Sequence, residues 1–230
     1  MSFSTNQNNI CVVIPIYNEI DFLDELLQRV YPYSSTIICV DDGSIDGSKE
    51  LLEPNDKIIL LSNGKNRGKG FSLKVGLMKA LEYNCDIIIT IDADLQHLPE
   101  QIPEFAEAIS DFDVVVGNRL SSLKGMPFHR IISNKLTSWL LSKRIGIRIL
   151  DSQSGYRAFK KDIIKSILPF ETGFEAETEM LINASLNNKS IGYVNIPIIY
   201  NDNKSKMRPF QAIIGFLRVL LKSTKNNSEL

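Results

Sequence analysis

Asp92-Ala93-Asp94 is the sharpest chemical feature of this sequence. Two carboxylates two residues apart, just past the apolar run 86–91, can both turn toward one hard cation. Magnesium or manganese prefers such oxygen ligands, keeps waters and substrate phosphates in its shell, and can offset charge on a diphosphate leaving group. A DxD pattern recurs by chance in surface loops. This one gains weight from its place after a run of isoleucines and from Gln96, two residues further on. Other polar clusters occupy the same kind of place. Pro15-Ile16-Tyr17-Asn18-Glu19 closes the run 10–16, Asp41-Asp42-Gly43-Ser44 follows 36–40, and Gly117-Asn118-Arg119 ends 113–117. Asp-Asp-Gly-Ser also reads as a turn, but tandem acids at a strand end could accept hydrogen bonds from a nucleobase or ribose. Asn66-Arg67-Gly68-Lys69-Gly70 precedes a helical pattern. Its glycines permit close backbone approach and a helix N-terminus favours anions. It is not a P-loop, because GxxxxGK[ST] is absent.

These clusters need a scaffold that brings strand ends to one edge. Runs 10–16, 36–40, 57–61, 86–91 and 113–117 are of strand length and apolar almost throughout, which suits strands covered on both faces of a parallel sheet. Helical spacing recurs between them, over 20–30, 68–83 and 99–110. Strand alternating with helix predicts an α/β fold, a mostly parallel sheet flanked by helices, with ligands bound beyond the carboxyl ends of the strands. After Asn118 the rhythm changes: a long helix over 127–145, a short strand at 157–159, a helix over 175–186, a strand pair or bent strand over 191–200, and a last helix over 209–222. The expectation is a single domain spanning 1–230, with a nucleotide-type half over about 10–118 and an acceptor-type half over 119–222.

Composition bounds the rest. The chain has 230 residues, 43% of them hydrophobic and 23% charged, with a formal net charge of −1. That excludes a disordered tail, a collagen-like rod and a disulfide scaffold, and offers no basic excess for nucleic acid. Cys11, Cys39 and Cys85 sit in or beside apolar runs and read as buried thiols in a reducing compartment. His97 and His129 are too few and too separated for the usual zinc site. The polar N-terminus MSFSTNQNN carries no Lys or Arg, and no run approaches the ~20 apolar residues that span a bilayer. The expectation is a cytoplasmic protein, soluble or peripheral to a membrane face.

VVIPIYNE, DDGSIDGS, NRGKG, DADLQH, GNR and DSQSGYRAF occur in this order. Together they make the chain resemble an inverting GT-A glycosyltransferase of family 2, in the branch of dolichol-phosphate mannose synthase and the polyprenyl-phosphate glycosyltransferases. The resemblance runs from about Ile10 to Lys222. It implies a Rossmann-like GT-A domain that moves a hexose from a GDP- or UDP-linked sugar to a polyprenyl or dolichyl phosphate, with Mg2+ or Mn2+ and no nucleic acid. By the same resemblance Pro15, Tyr17, Glu19, Asp41, Asp42 and Lys69 belong to the nucleotide sugar. Asp92, Asp94 and Gln96 belong to the metal. Arg119, Arg130, Ser154, Gly155, Arg157 and Lys206 belong to the acceptor. Relatives often read GF-x-[FY]-E-x-E where this chain has Gly173-Phe174-Glu175-Ala176-Glu177-Thr178-Glu179. Ala176 replaces the aromatic, which leaves open whether Glu177 or Glu179 carries a role, and both also suit an ordinary first helical turn.

The implied reaction is displacement at the anomeric carbon. A lipid phosphate is already anionic and needs no strong base, so Arg119, Arg130 and Arg157 would position it. A sugar hydroxyl would need a base, with Glu177 or Asp94 suspected. Lys204, Lys206 and Arg208 form a basic stretch before an apolar helix with Gln211, Gly215, Arg218 and Lys222 on one narrow polar stripe. Such a pair suits an anionic membrane surface, or a helix packed on the domain or in a dimer. Where relatives continue into transmembrane helices, peripheral attachment or a separate membrane partner would stand in. Three alternatives stand beside this reading. A nucleotidyltransferase would carry a Gly-rich loop with Arg where this chain has PIYNE. A non-catalytic relative would have less reason to keep Asp92, Asp94 and Arg157. A family 2 transferase could instead extend a cell-surface glycan on a sugar hydroxyl.

Overall fold

The computed structural model describes residues 9–121, 126–197, 199 and 209–221. In chain order the elements are β1 (Ile10–Ile16), α1 (Ile20–Val30), β2 (Thr36–Asp41), α2 (Ser48–Leu51), β3 (Ile58–Ser62), α3 (Lys69–Ala80), β4 (Ile87–Thr90), α4 (Ile102–Ala108), β5 (Val114–Asn118), α5 (Phe128–Ile145), β6 (Arg157–Lys160), α6 (Ile164–Ile167), α7 (Ala176–Leu186), β7 (Ile191–Asn195) and α8 (Pro209–Leu221).

Local chemistry accounts for most boundaries. α1 buries Leu23, Leu26, Leu27 and Val30 on one stripe, with Asp21 in its first turn and Arg29 in its last, as the helix dipole favours. The pattern over 99–110 predicts one helix. The structure instead opens with a 3₁₀ turn, Pro99–Gln101, before α4. Pro103 has no N–H to return into an α-turn begun at Pro99, so the tighter turn precedes the helix. Among the described residues of the run 191–200 there is a single strand ending at Asn195, ahead of Pro197, which cannot extend a ladder.

The strands form one sheet in the order β3-β2-β1-β4-β6-β5-β7. β1, β2, β3 and β4 run parallel to one another, and β5 runs parallel to β7. Both faces of the sheet are buried. Val12, Ile14, Ile16 and Ile37 join one core with residues of α1 and α4. Cys11, Val13, Ile38 and Val40 join the other with residues of α3, α6 and α7. The continuous apolar reading of these strands follows from that double burial. Cys11, Cys39 and Cys85 are buried free thiols.

β6 is the exception that places the site. It pairs antiparallel with both β4 and β5, with Arg157 opposite Thr90 on one side and Val116 on the other. An antiparallel strand starts at the edge where its parallel neighbours end. Residues 151–156, which lead into β6, therefore lie at the carboxyl ends of β4 and β5. Thr90 Oγ1 donates to the Gly155 carbonyl at 2.9 Å across that junction.

α3 lies on β1 and β2, and Gly76 is its point of closest approach. A Cβ there would overlap Val13 Cγ1 and stand 3.1 Å from Val40 Cγ2. Gly76→Ala gains helix propensity of up to about 1 kcal/mol but overpacks two immobile core valines. The net expected outcome is a loss of about 1–3 kcal/mol, read as a lower urea midpoint at unchanged slope.

Candidate active site

Lys69 occupies the centre of the edge. Its Nζ lies 2.6 Å from Asp92 Oδ1 and 2.8 Å from Glu177 Oε1, with the lysine side chain 15% exposed. Glycines make this approach possible. Gly68 starts α3 at φ +98, where a Cβ would overlap the Thr172 carbonyl. At Gly70 a Cβ would stand 2.5 Å from Ala176 Cβ and 2.7 Å from the Glu171 carbonyl. The small residue at 176 is thus matched to Gly70, and Glu177 at the start of α7 comes against the first residue of α3. Burial works against the Lys69 charge, but Asp92 and Glu177 outweigh it and raise its pKa above the usual lysine range. Burial likewise opposes the Asp92 anion, and Lys69 outweighs it, so Asp92 is held below the usual carboxylate range.

Asp92 and Asp94 leave β4 on a backbone that carries Leu95 at φ +53, a left-handed conformation unusual for leucine. Asp94 Oδ1 accepts the Gln96 N–H at 3.1 Å. Burial and the charge of Asp92 together push the Asp94 pKa upward. Gly155 lies directly on Asp92: a Cβ there would stand 2.5 Å from Oδ2 and 2.7 Å from Oδ1. Among the described residues no three His, Cys, Asp or Glu side chains gather as a closed metal cage. Magnesium and manganese do not need one, because one or two carboxylates suffice when substrate phosphates complete the shell. The donor set fits such an ion, with two carboxylates that repel one another and the Gln96 amide beside them.

Arg119 follows β5 and forms a fork with Asp151, from Nε to Oδ2 at 2.7 Å and from Nη2 to Oδ1 at 2.9 Å. Asp151 is fully buried, and the sequence reading gave it no role of its own. It belongs to the DSQSGYRAF run, but only the fold shows that its partner lies 32 residues earlier. Arg157, expected among the phosphate-positioning arginines, is 1% exposed. Its guanidinium donates to the carbonyls of Ser154, Glu177 and Ser152 at 2.7, 2.6 and 3.1 Å. In this structure it braces the loop carrying Ser154 and Gly155 and ties it to α7, instead of reaching solvent. Ser154 is fully buried and its Oγ has no hydrogen-bond partner among the described residues. His97 is also buried, 5.5 Å from the Tyr156 ring, and burial drives its pKa down to about 4, leaving a neutral ring. Arg130 sits in the first turn of α5. Lys206 lies outside the described residues.

Glu177 and Glu179 separate cleanly. Glu179 Oε2 accepts the N–H groups of Phe170 and Glu171, each at 2.8 Å, and holds the preceding loop. Only Glu177 joins Lys69.

On the donor side, the loop after β1 is laced to the loop after β2. Asn18 N–H donates to Ser44 Oγ at 3.0 Å, Asn18 Oδ1 accepts the Ile45 N–H at 2.9 Å, and Glu19 N–H donates to Ser48 Oγ at 2.8 Å. Pro15, Tyr17 and Glu19 are half-buried there. Asp41 and Asp42, expected at the nucleotide, also brace their own loops. Asp41 accepts from the N–H groups of Gly43 and Ser44 and from Ser62 Oγ. Asp42 accepts from Asn63 Nδ2 at 2.8 Å and from the N–H groups of Arg67 and Gly68 at 2.9 and 2.8 Å. The anion at the start of α3 is therefore the Asp42 carboxylate, which fixes the loop that delivers Lys69.

The family model described as glycosyl transferase family 2 matches residues 11–168. The UDP-N-acetylglucosamine–dolichyl-phosphate N-acetylglucosaminyltransferase of Methanococcus voltae is 34% identical over 231 residues, covering 90% of this chain and 92% of that protein. The undecaprenyl-phosphate 4-deoxy-4-formamido-L-arabinose transferase of Edwardsiella ictaluri is 33% identical over 170 residues, covering 69% of this chain and 51% of that protein. Among solved structures, glucosyl-3-phosphoglycerate synthase of Mycobacterium tuberculosis with Mn2+, UDP-glucose and phosphoglyceric acid superposes with a TM-score of 0.70. It is 20% identical and covers 93% of this chain and 80% of that one, a likeness of fold.

Gly155→Ala forces the Asp92 carboxylate from its place without touching the hydrophobic cores. Manganese binding in the presence of a nucleoside diphosphate, followed by electron paramagnetic resonance, is expected to weaken by about 10- to 100-fold, the scale of disturbing a ligand's support, and the melting temperature is expected to fall as well, because the displaced carboxylate no longer neutralises Lys69.

Proposed function

The chain belongs to glycosyl transferase family 2, and we propose that it transfers a hexose, with inversion, from a nucleoside diphosphate sugar to a polyprenyl phosphate. Membership in a transferase family sets aside the nucleotidyltransferase alternative. The observation that carries the proposal is the meeting of Asp92, from the donor half, with Lys69 and Glu177. A hydroxyl acceptor would need a base, and of the two carboxylates suspected, Asp94 is assigned to the metal, which leaves Glu177. Its Oε1 is already ion-paired with the Lys69 ammonium at 2.8 Å. A phosphate acceptor is anionic near neutral pH and needs no such base, so this pairing favours lipid phosphate over a sugar hydroxyl. The M. voltae and E. ictaluri relatives, named for dolichyl and undecaprenyl phosphate, support the same acceptor class. The UDP-linked donors named for the M. voltae relative and the M. tuberculosis synthase support testing UDP-sugars before GDP-sugars.

Asp92, Asp94 and Gln96 would hold magnesium or manganese, which when bound offsets negative charge on the departing diphosphate. The chain's own residues act by position. Pro15, Tyr17 and Glu19, with the loops that Asp41 and Asp42 brace, seat the nucleobase and ribose. Lys69 supplies a positive charge beside the diphosphate. Arg119 is anchored through Nε and Nη2, which leaves Nη1 outside the Asp151 pair for the acceptor phosphate, and Arg130, in the first turn of α5, is assigned to the same phosphate on the family resemblance. Ser154 and Gly155 form the acceptor loop, and Arg157 keeps it in place. Lys206 is assigned to the acceptor phosphates on the family resemblance.

A polyprenyl carrier confines the reaction to a membrane face. No described helix is long and apolar enough to cross a membrane. α8 packs Phe216 and Val219 into the body of the protein and exposes Ile213, Ile214, Leu217 and Leu221. It adjoins α5, where Arg144 Nε donates to the Leu220 carbonyl at 3.2 Å. α5 exposes Phe128, Ile132, Leu136 and Trp139, spaced to form one stripe. The two helices together offer an apolar surface for peripheral attachment.

The test is nucleoside diphosphate release from UDP- and GDP-sugars with manganese or magnesium, each with and without a short polyprenyl phosphate. Release that requires both metal and lipid phosphate is expected, and it falls at least about 100-fold in Asp94→Ala, the scale of losing one electrostatic stabiliser. Lipid-independent turnover, or full activity of Asp94→Ala, would overturn the reading. The double variant Ile132→Ser/Leu136→Ser is expected to bind phosphatidylcholine vesicles at least about 10-fold more weakly, since each buried aliphatic side chain contributes about 1.5–3 kcal/mol. Its turnover of a detergent-dispersed acceptor should match the wild type.

A further inference from the structure

A second recess lies along α5, lined in part by the residues that precede Arg119 and Asp151 in sequence. It is a cavity of about 720 Å³ between α5 and the segment 146–150, lined in part by Asn118, Lys135, Trp139, Lys143, Arg148 and Leu150. Its construction is specific. Gly146 ends α5 at φ +76 and turns the chain back along the helix. Ser142 and Ser138, one turn apart on α5, then fasten the returning segment. Ser142 Oγ accepts the Ile149 N–H at 2.8 Å, and Ser138 Oγ accepts the Ser152 N–H at 3.0 Å. That return brings Arg148 to the cavity lined by Lys135 and Lys143.

The lining carries three cations and no acid. None of the three forms an ion pair among the described residues. This concentration stands on a chain whose formal net charge is −1, so it is not the local share of a basic protein. Trp139 belongs both to this cavity and to the apolar stripe of α5, and it is 55% exposed. An indole at the border of apolar stripe and cationic recess matches the boundary between acyl chains and headgroups. Lysine and arginine stems can lie along the apolar side while their charged ends meet phosphate.

We propose that this cavity binds the phosphate headgroup of an anionic membrane lipid, at a site distinct from that of the polyprenyl phosphate acceptor. The inference rests on the reading that the enzyme works at a lipid surface. Asn118 and Leu150, which line the cavity, adjoin Arg119 and Asp151 in sequence, so the headgroup site neighbours the fork.

Trp139 is the single tryptophan of the chain, and its emission reports the site directly. The experiment compares vesicles of phosphatidylcholine alone with vesicles of phosphatidylcholine and phosphatidylglycerol, by co-sedimentation and by Trp139 fluorescence. Wild type is expected to bind the anionic vesicles more tightly and to show the larger blue shift on them. Lys143→Ala/Arg148→Ala should lose roughly 10- to 30-fold of that binding, at about 1 kcal/mol per cation near the surface, while binding to phosphatidylcholine is unchanged. Lys49→Ala/Lys165→Ala removes the same charge elsewhere and should lose little. Equal losses in the two double variants would mean diffuse attraction and overturn the site, as would equal binding of both vesicle types by wild type. Release of wild type, but not of Lys143→Ala/Arg148→Ala, by inorganic phosphate at constant ionic strength would assign the cavity to free phosphate and overturn the lipid assignment. Failure of lipid-dependent sugar transfer with the Trp139 response intact would remove the transferase reading and leave this one standing.

Discussion

Lys69 reaches two carboxylates from different parts of the chain, Asp92 at the end of β4 and Glu177 at the start of α7. Removing one partner of so enclosed a group leaves an uncompensated charge, a loss that in buried pairs is about 3–5 kcal/mol. The arrangement therefore couples the position of the metal-side carboxylate to that of α7. Several less conspicuous residues are explained by it. Gly68 and Gly70 let α3 close on residues 171–176, Gly155 lets the acceptor loop close on Asp92, and Asp42 holds the loop from which Lys69 projects. A lysine rather than an arginine suits this place, since a compact ammonium group can serve two carboxylates and exchange them for phosphate oxygens when a substrate enters.

The reversal of β6 has equal weight at the level of topology. Had β6 run parallel to β4, residues 151–156 would have emerged at the opposite edge of the sheet, a strand length from Asp92. Its antiparallel course puts the acceptor loop and the donor carboxylates at one edge, and buried Arg157 secures it through three backbone carbonyls. Arg157 and Arg119 show how one residue type divides into two tasks. The fully buried guanidinium is held by three carbonyls and organises a loop. The partly exposed one is oriented by a carboxylate and keeps one nitrogen outside that pair.

The cationic recess of α5 is lined in part by Asn118 and Leu150, the sequence neighbours of the Arg119–Asp151 fork, and Trp139 belongs both to it and to the apolar stripe of the same helix.

Periodicity alone located nearly every strand and long helix, because double burial demands uninterrupted apolar strands and one-sided burial demands a helical stripe. The motif order VVIPIYNE, DDGS, DADLQ and DSQSGYR was enough to identify the family and the strand ends that matter. Periodicity could not show which way β6 runs, since apolar pattern has no direction. Residue type could not distinguish a carboxylate that binds ligand from one that braces a loop, as with Asp41 and Asp42, or tell Glu177 from Glu179 two residues on. Those differences depend on which groups lie within about 3 Å across the fold. Hydrogen bonds and ion pairs act over that distance in space and not along the chain, so only the tertiary structure could decide them.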